Sequence, residues 1–575
     1  MCYTVCMQWK VKEHKSGVCA GAADVLERLF LLRGLVTEEE REEFLSPDYE
    51  HDVHDPFLFT AMDAAVARLV AARESGEKIG IYGDYDADGV CGATLLKSAL
   101  DDLGFESEVY IPHKERDGHG LSDTAVAHFA DSGVGLIVTV DCGITNIAQV
   151  ADAKERGMDS IIIDHHHVPK ELPAAVAVVN PKMPDSGYPF AELCGTGTAF
   201  KVVQALYTRL APAKAESVKW LLDLVAIATV ADCMPLTGEN RTLVTYGLIV
   251  LGKTRRTGLQ EMFAVGRIAV DAGNLPTAHT IGFQIAPRIN AAGRMGHAQD
   301  AHALLMEDDP VQAHTRARHL EAMNNERRAV SEQVTRDAAA RVRALDDIPA
   351  GIVVGDENFF HGVVGLAAGR LAERFKRPVG VFQHMAETSL GSFRSRSGIH
   401  VVEVLHAVNA ALPGALIKYG GHAAAAGATI DRAQFDVFAQ AFDVEVRKRI
   451  VQMGGVESDI LVDAEICARD VTLTLAQQIK KFAPFGIGND EPLFAVTDLV
   501  VDSLRMVGAG GKHVKFTFAA ADDATVKIDG IGFSMAQKVA SLTPGARVTV
   551  LARIQENIWQ GQRSVQLMVE EIAAV

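Results

Sequence analysis

The chain lacks the signatures of several familiar classes of protein. Its eight Cys residues form no C-x-x-C pair, which argues against a zinc ribbon or a disulfide framework and fits reduced thiols in a cytosol. Residues 1–15 lack the apolar core of a signal peptide, and no run reaches the roughly 18 apolar residues that a membrane span requires. We therefore expect a cytoplasmic protein that is neither exported nor embedded in a membrane.

Basic charge is also in short supply. The formal net charge is −18, whereas proteins that coat polyanions usually carry a basic excess that displaces counterions from phosphates. If nucleic acid is the ligand, positive charge must be concentrated locally. The chain also has no G-x-x-x-x-G-K-[ST] sequence, so nothing supports a nucleotide-driven motor, and the glycine-rich run at 508–512 is predicted to be a hairpin tip.

What is present indicates several folded domains. At 575 residues the chain exceeds the roughly 250–300 residues of one hydrophobic core. Between Lys78 and about Asn180, β-rich runs alternate with helical segments; the predicted strands are 78–82, 108–112, 135–140, 159–164 and 175–180. This alternation predicts a parallel sheet covered on both faces, with ligands at the carboxyl ends of its strands.

Three further regions follow. Residues 310–345 form a polar, glycine-free stretch that predicts one long helix bridging two domains. Its seven Arg residues either make ion pairs along a solvated face or line a path for phosphates. A second α/β unit is predicted for 351–430, and alternating strands from 515 to 572 predict a small β-barrel, for which an oligonucleotide-binding fold is one candidate.

The most informative local sequence is DYDADG at 84–89, which follows the first predicted strand. Asp84, Asp86 and Asp88 would repel one another without a cation, so we predict a divalent metal here, with a solvated acidic turn as the alternative. The run resembles the start of an EF-hand loop. That interpretation fails because Leu95 occupies the twelfth position, where the loop requires Glu.

Other polar residues follow the neighbouring strands. Asp141 comes directly after strand 135–140, and Asp164, His165 and His166 come at the end of strand 159–164. In a parallel sheet these strand ends lie side by side, so the clusters are expected to converge at one edge. Asp232, beside an apolar run, is a further candidate, with a hydrogen bond at a helix end as the alternative.

This mixture of carboxylates and imidazole without thiolate suits Mn²⁺ or Mg²⁺ better than structural zinc. Two such ions about 4 Å apart activate a water molecule and stabilise the leaving oxygen of a phosphoryl displacement. Phosphoester hydrolysis is the reaction that this site predicts.

Several of these motifs resemble those of a known family. DYDADG, VTVDCG around Asp141, DHH at 164–166 and TVAD ending at Asp232 are similar to the ordered motifs of the DHH phosphoesterases. The similarity continues through 281–294, 360–365, 391–395, 420–427 and 482–494. It covers almost the whole chain and is strongest to the family's exonucleases that degrade single-stranded DNA from the 5′ end.

The resemblance implies roles for individual residues. Asp86, Asp88, Asp141, His165 and Asp232 would bind two divalent ions, Mn²⁺ or Mg²⁺, with Asp141 bridging them and Asp84 supporting or adding a ligand. His166 would face the scissile phosphate. The DNA or its 5′ phosphate would be contacted by Lys114, Arg288, Asn290, Arg294, Ser392, Arg394, Gly420, Gly421 and His422. A plain tight turn is the alternative for Gly420 and Gly421.

The chain departs from the family pattern at four positions. Lys114 stands where Arg is expected, so it offers a positive charge without a planar fork. His119 stands where Tyr is expected, and Phe360 stands where Trp is usual. Arg396 replaces an apolar residue, and we assign no role to it or to Phe360. His167 is an additional His beyond the motif and is expected to lie outside the ligand set.

The resemblance divides the chain into an N-terminal segment (1–60), a DHH domain (61–305), a connecting helix (306–348), a DHH-associated domain (349–450) and an oligonucleotide-binding-type barrel (456–575). It implies a monomeric 5′→3′ exonuclease that releases mononucleotides from single-stranded DNA in repair and recombination. A single-stranded-DNA-binding protein and a RecQ-type helicase would be its protein partners. The alternatives are a related phosphodiesterase for short oligonucleotides or cyclic dinucleotides, and a catalytically silent single-strand-binding scaffold.

Overall fold

A computed structural model of the chain describes residues 9–12, 25–271, 273–395, 398–454, 460–559 and 561–574. Cys2, Cys6, Cys19 and Arg396, together with most of the stretch inspected for a signal peptide, lie outside the described residues. Among the helices of the described part, none has the length and apolar character needed to cross a membrane.

The chain begins with elements that precede the first sheet. They are β1 (Trp9–Val11), α1 (Val25–Leu32), α2 (Glu38–Leu45), α3 (Tyr49–Asp52) and α4 (Met62–Ser75). Helix α2 begins with a capping box, in which the Thr37 hydroxyl accepts from the Glu40 amide and the Glu40 carboxylate accepts from the Thr37 amide. The helix therefore starts at a fixed residue despite its poor apolar content.

The first α/β domain contains a five-stranded sheet in which every strand pair is parallel. Its elements are β2 (Lys78–Gly83), α5 (Ala87–Asp102), β3 (Ser107–Tyr110), α6 (Asp123–Asp131), β4 (Val134–Val140), α7 (Ile147–Glu155), β5 (Asp159–Ile163) and β6 (Ala177–Val179). The strand order is β3-β2-β4-β5-β6. Strands β2, β4 and β5 are buried almost throughout, as expected for a parallel sheet covered on both faces.

Helices complete this domain. They are α8 (Gly195–Leu210), α9 (Leu222–Ala231), α10 (Gly238–Gly252), α11 (Thr257–Gly266), α12 (Ala278–Thr280), α13 (Ala286–Met295) and α14 (Gln299–Leu305). A π-helical turn at Ile281–Ile285 joins α12 to α13. The apolar helix α9 packs inside the main core of the domain, and it carries the chain toward Asp232.

The predicted long helix is α15 (Pro310–Arg343), with 34 residues. It packs against α11 and α13 of the first domain and against the first helix of the second domain, so it joins the two. Its polar composition conceals a buried face on which Ala313, Ala317, Ala338 and Ala339 accompany larger residues such as Leu320 and Met323. Because Ala has little apolar character, this face gives only a weak signal in the sequence.

The second α/β domain has a mixed five-stranded sheet of order β10-β11-β9-β8-β7. Its elements are β7 (Ile352–Asp356), α16 (His361–Phe375), β8 (Val379–His384), β9 (Thr388–Arg394), α17 (Val401–Ala411), β10 (Leu416–Gly421), β11 (Ala425–Asp431) and α18 (Phe435–Gln452). Only β7 and β8 of this sheet run parallel, and its other pairs are antiparallel. Ser392, Gly427 and Gly420 fall in one row across β9, β11 and β10.

The C-terminal part is a closed barrel. Its elements are β12 (Ile460–Val462), β13 (Ala464–Cys467), α19 (Leu473–Lys480), β14 (Phe494–Val507), β15 (His513–Ala520), β16 (Asp523–Gly532), β17 (Arg547–Trp559) and β18 (Gln562–Ala574). The sheet runs β14-β15-β16-β18-β17 and closes where β17 pairs with β14. Five strands closed in this way are consistent with the predicted oligonucleotide-binding fold.

Strand β1 and helices α1 and α2 pack against this barrel, whereas α3 and α4 pack in the core of the first α/β domain. Strand β1 pairs in parallel with β12, with Trp9 opposite Ile460. Leu29 of α1 is fully buried in the barrel's core, and Phe30 and Phe44 pack against it. Helix α1 and the C-terminal strands therefore share one core.

The predicted fold class is confirmed: a parallel-sheet domain, a second α/β domain, a long connecting helix and a C-terminal β-barrel. The glycine-rich run at 508–512 lies between the antiparallel strands β14 and β15, as predicted for a hairpin tip. Strand β14, the longest strand of the barrel, was not among the predicted strands.

Candidate metal centre and nucleic-acid cleft

The acidic clusters meet because three neighbouring strands end at the same level. Gly83 of β2 lies beside Val140 of β4, and Val140 lies beside Ile163 of β5. Each of these residues is the last of its strand. The loops that begin with Asp84, Asp141 and Asp164 therefore start side by side at one edge of the sheet.

His165 lies at the centre of the resulting cluster. Its Nε2 atom is 3.1 Å from an Asp141 oxygen, 3.5 Å from an Asp232 oxygen and 3.8 Å from an Asp88 oxygen. Asp84 and Asp86 form a further group with Asp141, in which the candidate ligand atoms lie within 4.8 Å of one another. All six predicted metal-binding residues thus lie in one continuous site.

The donor atoms fit divalent cations. Within the described part of the chain, Asp84 Oδ1 and His165 Nδ1 are buried without a hydrogen-bond partner. The candidate groups offer carboxylates and the imidazoles of His165 and His166, with no thiolate. Such a donor set suits Mn²⁺ or Mg²⁺.

The protonation behaviour of the site supports the same conclusion. Burial, together with the charge of Asp88, raises the pKa of Asp232 to about 8, and burial next to Asp84 raises the pKa of Asp86 to about 6. Burial lowers the pKa of His165 to about 4, so its imidazole is neutral near pH 7 and can donate a lone pair. These shifts describe carboxylates that lack a counter-charge, which a divalent cation supplies.

The backbone around Asp141 is shaped for close approach. Asp141 has a left-handed conformation with φ of 64°, which is rare for a residue other than Gly. A Cβ atom on Gly195 would lie 2.6 Å from the Asp141 Cβ atom, so glycine is required where α8 begins. Asp88 is held from the same helix end, because its two carboxylate oxygens accept from the Gly195 and Thr196 amides at 2.7 Å.

His166 lies beside this cluster and is oriented by Asp164. Asp164 Oδ1 is 2.7 Å from His166 Nδ1, and Asp164 Oδ2 accepts from the Ile144 amide. Burial opposes protonation of His166, but its hydrogen bond to Asp164 and the charges of the neighbouring carboxylates together outweigh that effect and raise its pKa. Asp164 had no individual role among the predicted site residues, although its position directly after β5 pointed to the site.

His119 is another residue that the sequence analysis left unassigned. Its Nδ1 atom lies 3.1 Å from Asp84 Oδ2, and its ring is 5.8 Å from that of His166. The hydrogen bond to Asp84 raises the pKa of His119. The departure from Tyr therefore places an additional imidazole against the acidic cluster.

A group of cationic side chains lies where the two α/β domains meet. Burial and the charge of Arg294 lower the pKa of Lys114 to about 8, and the Lys114 ammonium lies 5.5 Å from the centre of the Tyr85 ring. Burial followed by repulsion from Arg294 also lowers the pKa of Arg394. Arg294 Nη1 donates to the Gly362 carbonyl across the domain boundary. Concentrated positive charge in a cleft attracts phosphate despite the negative net charge of the chain.

Arg327 of α15 belongs to the same group and was not singled out from the sequence. Burial, followed by repulsion from Arg294 and Arg328, lowers its pKa to about 10, and its Nη2 atom donates to Asn324. The sequence did contain an indication of this role, because the residues three and four positions from Arg327 on α15 include no Asp or Glu that could pair with it. An Arg without a helical ion-pair partner is a candidate for another ligand.

Two residues predicted to line the DNA path make hydrogen bonds inside the protein. Arg288 is buried, its Nε atom lies 2.6 Å from Glu321, and its other donors reach the Gln284 and Gly266 carbonyls. Asn290 accepts from the Ala87 amide at 2.8 Å and so holds the DYDADG turn. The family motif suggested DNA contacts for both residues. Each makes an internal contact in addition, and contact with DNA stays a prediction for both.

The residues predicted to bind the 5′-terminal phosphate lie on the second α/β domain. Arg394 Nη1 donates to the Ser392 hydroxyl at 2.6 Å, and Gly365 lies beside both side chains. Gly420 has open space where a Cβ atom would stand, whereas Gly421 has φ of 143° and no room for a side chain. The ring of His422 is 5.7 Å from that of His167, so this hairpin faces the metal centre from across the cleft.

Comparisons with known proteins agree with this geometry. Residues 78–229 match a family described as the DHH family, N-terminal domain, residues 348–448 match the DHHA1 domain, and residues 462–571 match the RecJ OB domain. The single-stranded-DNA-specific exonuclease RecJ of Escherichia coli (strain K12) is 33% identical over 571 residues, covering 95% of both proteins. The chain belongs to the RecJ family.

Other RecJ proteins support this assignment. RecJ of Bacillus subtilis (strain 168) is 35% identical over 95% of the chain and 67% of that protein. A crystal structure of RecJ from Thermus thermophilus in complex with Mn²⁺ superposes with a TM-score of 0.78 at 28% identity, covering 95% of this chain and 75% of that one. A RecJ exonuclease structure bound to manganese covers 68% of this chain and 95% of its own, at 33% identity and a TM-score of 0.57.

Proposed function

We propose that this RecJ-family chain is a metal-dependent exonuclease that degrades single-stranded DNA from the 5′ end and releases mononucleotides. The observation that carries the proposal is the placement of the acidic cluster opposite the Ser392 and Arg394 pair, with buried cationic groups between the two domains. In this proposal the acidic cluster catalyses hydrolysis, and the Ser392 and Arg394 pair binds the terminal phosphate of the strand. Because the strand can advance no further once its terminal phosphate is bound, cleavage is limited to the end of the chain.

The proposed chemistry divides among the residues of the cluster. Two divalent cations, Mn²⁺ or Mg²⁺, would supply an activated water and charge stabilisation at the leaving oxygen. Asp84, Asp86, Asp88, Asp141, His165 and Asp232 would hold them. His166, with its Nδ1 atom fixed by Asp164, presents its other nitrogen to the scissile phosphate and stabilises developing negative charge. Lys114 and Arg294 orient the strand.

Polarity follows from which end the phosphate pocket accepts. Arg394 is anchored by Ser392 and the Phe393 carbonyl, so its remaining donors are presented in a fixed direction. A 5′-terminal phosphate held there places the first internucleotide bond toward the metal centre. A 3′-hydroxyl end offers no such anion, so degradation from that end is disfavoured.

The C-terminal barrel and the long helix favour a polymer over a cyclic dinucleotide. Both features extend the protein beyond the two domains that contain the proposed chemistry. We place the protein in the cytoplasm as a monomer that works in repair and recombination. A single-stranded-DNA-binding protein and a RecQ-type helicase are proposed as its partners.

One experiment tests the proposal directly. Purified protein with Mn²⁺ is incubated with single strands labelled at either the 5′ or the 3′ end, with a blunt duplex of the same sequence and with a chelator. We expect immediate release of labelled mononucleotide from the 5′-labelled strand only, and none with duplex or chelator. Early release from the 3′ label would overturn the polarity, and equal rates on duplex would overturn strand selectivity.

A further inference from the structure

Arg241 of α10 lies at a joint between three distant parts of the chain. Its guanidinium donates from Nε to the Phe44 carbonyl at 2.9 Å, from Nη1 to the Phe482 carbonyl at 2.9 Å and from Nη2 to the Ala483 carbonyl at 2.8 Å. The guanidinium carbon lies 3.8 Å from the centre of the Phe44 ring. The residue is only 3% exposed. Among the described residues, no carboxylate pairs with it.

These partners belong to the barrel's docking segment, which we define as residues 481–490. A second contact joins the segment to the first α/β domain, because the Leu236 amide donates to the Ile487 carbonyl at 2.7 Å. A Cβ atom on Gly486 would lie 2.7 Å from Leu236 Cδ1, and one on Gly488 would lie 3.2 Å from Pro235 Cβ. The docking segment therefore lies directly against the loop that follows Asp232.

The docking segment is also internally fixed. Asn489 is buried, and its amide nitrogen donates to the Phe482 and Pro484 carbonyls at 2.8 and 2.9 Å. Its side-chain oxygen accepts from Arg33 Nε, while Arg33 Nη2 donates to the Asp490 carbonyl. The ring of Phe482 is fully buried against Phe30. The segment therefore holds one shape, which the barrel and the N-terminal helices share.

The choice of arginine is informative. A buried cation without a carboxylate partner is costly to desolvate, and an apolar side chain would fill the same space without that cost. What arginine adds is a planar fork of five donors that never loses its charge, which suits several backbone carbonyls at set angles. Arg241 thus fixes an orientation and does more than fill a volume.

We propose that Arg241 is a positioning residue that holds the C-terminal barrel at a set place relative to the metal centre, and that this joint gives the enzyme its preference for long strands. The inference rests on the proposed function. Asp232 and Arg241 lie in one stretch, 232–241, and Leu236 within it is hydrogen-bonded to the docking segment, so a short length of chain links the metal centre to the joint. A strand that leaves the centre then meets the barrel at a high effective concentration.

The same argument separates long substrates from short ones. A strand of a few nucleotides occupies the cleft alone and gains nothing from a positioned barrel. A longer strand gains affinity only when the second surface is held where the strand arrives, and a loosely attached barrel would contribute less. Loosening the joint should therefore raise KM for long strands and leave kcat and KM for short ones unchanged.

The test uses the full chain with Mn²⁺ and 5′-phosphorylated strands of about 4 and about 40 nucleotides, because a single barrel of this type covers about 4–16 nucleotides. For Arg241→Ala we expect KM for the long strand to rise at least about tenfold toward the short-strand value, with short-strand kinetics unchanged. Arg241→Lys should give a smaller rise. Arg209→Ala, which removes an exposed guanidinium 3.3 Å from Asp63, is the matched control and should change neither value.

A second variant approaches the joint from the other side. Gly486→Val places a branched side chain against Leu236 without touching the metal centre, and it should reproduce the selective rise in long-strand KM. The inference is overturned if the folded variants keep the wild-type ratio of KM values, or if KM for both lengths rises equally. It is also overturned if all the joint variants fail to fold, since that would make the joint a general stability element. If the wild-type chain cleaves neither strand, the proposed function itself fails.

Discussion

The Nε2 atom of His165 lies 3.1 Å from Oδ1 of Asp141, although the two residues follow different strands. Asp141 also groups with Asp84 and Asp86, whereas His165 groups with Asp88 and Asp232. Asp141 therefore stands between the two halves of the cluster, which is the position that a bridging carboxylate occupies in a two-metal site.

Replacing the Asp141 carboxylate should abolish hydrolysis while sparing DNA binding. Asp141→Asn keeps the shape of the side chain but removes its charge, and we expect kcat to fall roughly a thousandfold, or about 4 kcal/mol in barrier height. The dissociation constant for single-stranded DNA, measured by fluorescence anisotropy, should change less than about threefold. Nuclease activity near the wild-type level would contradict the assignment of Asp141.

The same variant should reveal the repulsion within the cluster. With chelator present, the buried carboxylates have no counter-charge, so Asp141→Asn should raise the melting temperature above that of the wild-type protein. Adding Mn²⁺ should reverse the order, since metal at about 100 times its dissociation constant stabilises the native state by about 2.7 kcal/mol. Calorimetry of both proteins, with chelator and with Mn²⁺, measures the melting temperatures that test these two expectations. A wild-type melting temperature that ignores Mn²⁺ would count against a metal site.

The lowered pKa of Lys114 predicts that the affinity for DNA depends on pH. Burial lowers its pKa to about 8, so the ammonium is charged below pH 8 and loses its proton as pH rises through that value. Affinity for single-stranded DNA should therefore weaken between about pH 7 and pH 9. Lys114→Arg keeps its charge throughout this range and should flatten the profile. An unchanged slope in this variant would show that another group titrates.

Arg394 should discriminate between 5′ ends. We expect Arg394→Ala to raise KM for a 5′-phosphorylated strand at least about tenfold, because a charge-assisted pair is lost. The effect on a strand with a 5′-hydroxyl end should be small. Steady-state kinetics on the two strands give the comparison, and Arg374→Ala, on the last turn of α16, serves as a control. Equal losses on both strands would remove Arg394 from the terminal pocket.

Arg288 should matter for stability through its ion pair with Glu321. Glu321→Ala leaves its buried guanidinium unpaired, and removing one partner of such a pair costs about 3–5 kcal/mol. Urea unfolding measures this loss. The apparent DNA affinity of the protein that remains folded should be unchanged. A selective loss of DNA affinity without a loss of stability would instead support the predicted DNA contact of Arg288.

Much of the first α/β domain could be predicted because the sequence pattern of its strands agrees with the way in which those strands pair in the fold. Strands β2, β4 and β5 are short, buried and apolar, and each ends one residue before a polar cluster. Parallel pairing then brings Asp84, Asp141 and Asp164 together without further information. The helix α15 was equally evident from its lack of glycine, but its buried face was not, because Ala gives a weak apolar signal.

Other features depend on partners that are remote in the sequence. Strand β14 escaped prediction because an irregularity between Val501 and Ser503 interrupts the alternation of its side chains. Arg288 and Asn290 lie in a motif that suggested DNA, and only the fold shows that they also contact Glu321 and Ala87. Arg241 gave no local signal, since its acceptors are carbonyl groups about 200–240 residues away.

The packing of α1 and β1 against the barrel determines the order in which parts of the chain can fold during translation. Leu29 enters a core that includes Leu567, and Trp9 pairs with Ile460. On the ribosome, the first α/β domain can fold as soon as its own sequence has emerged. Helices α1 and α2 must wait until more than 500 further residues have been translated. During that interval their apolar surfaces are exposed, so they are natural sites for chaperone binding in the nascent chain.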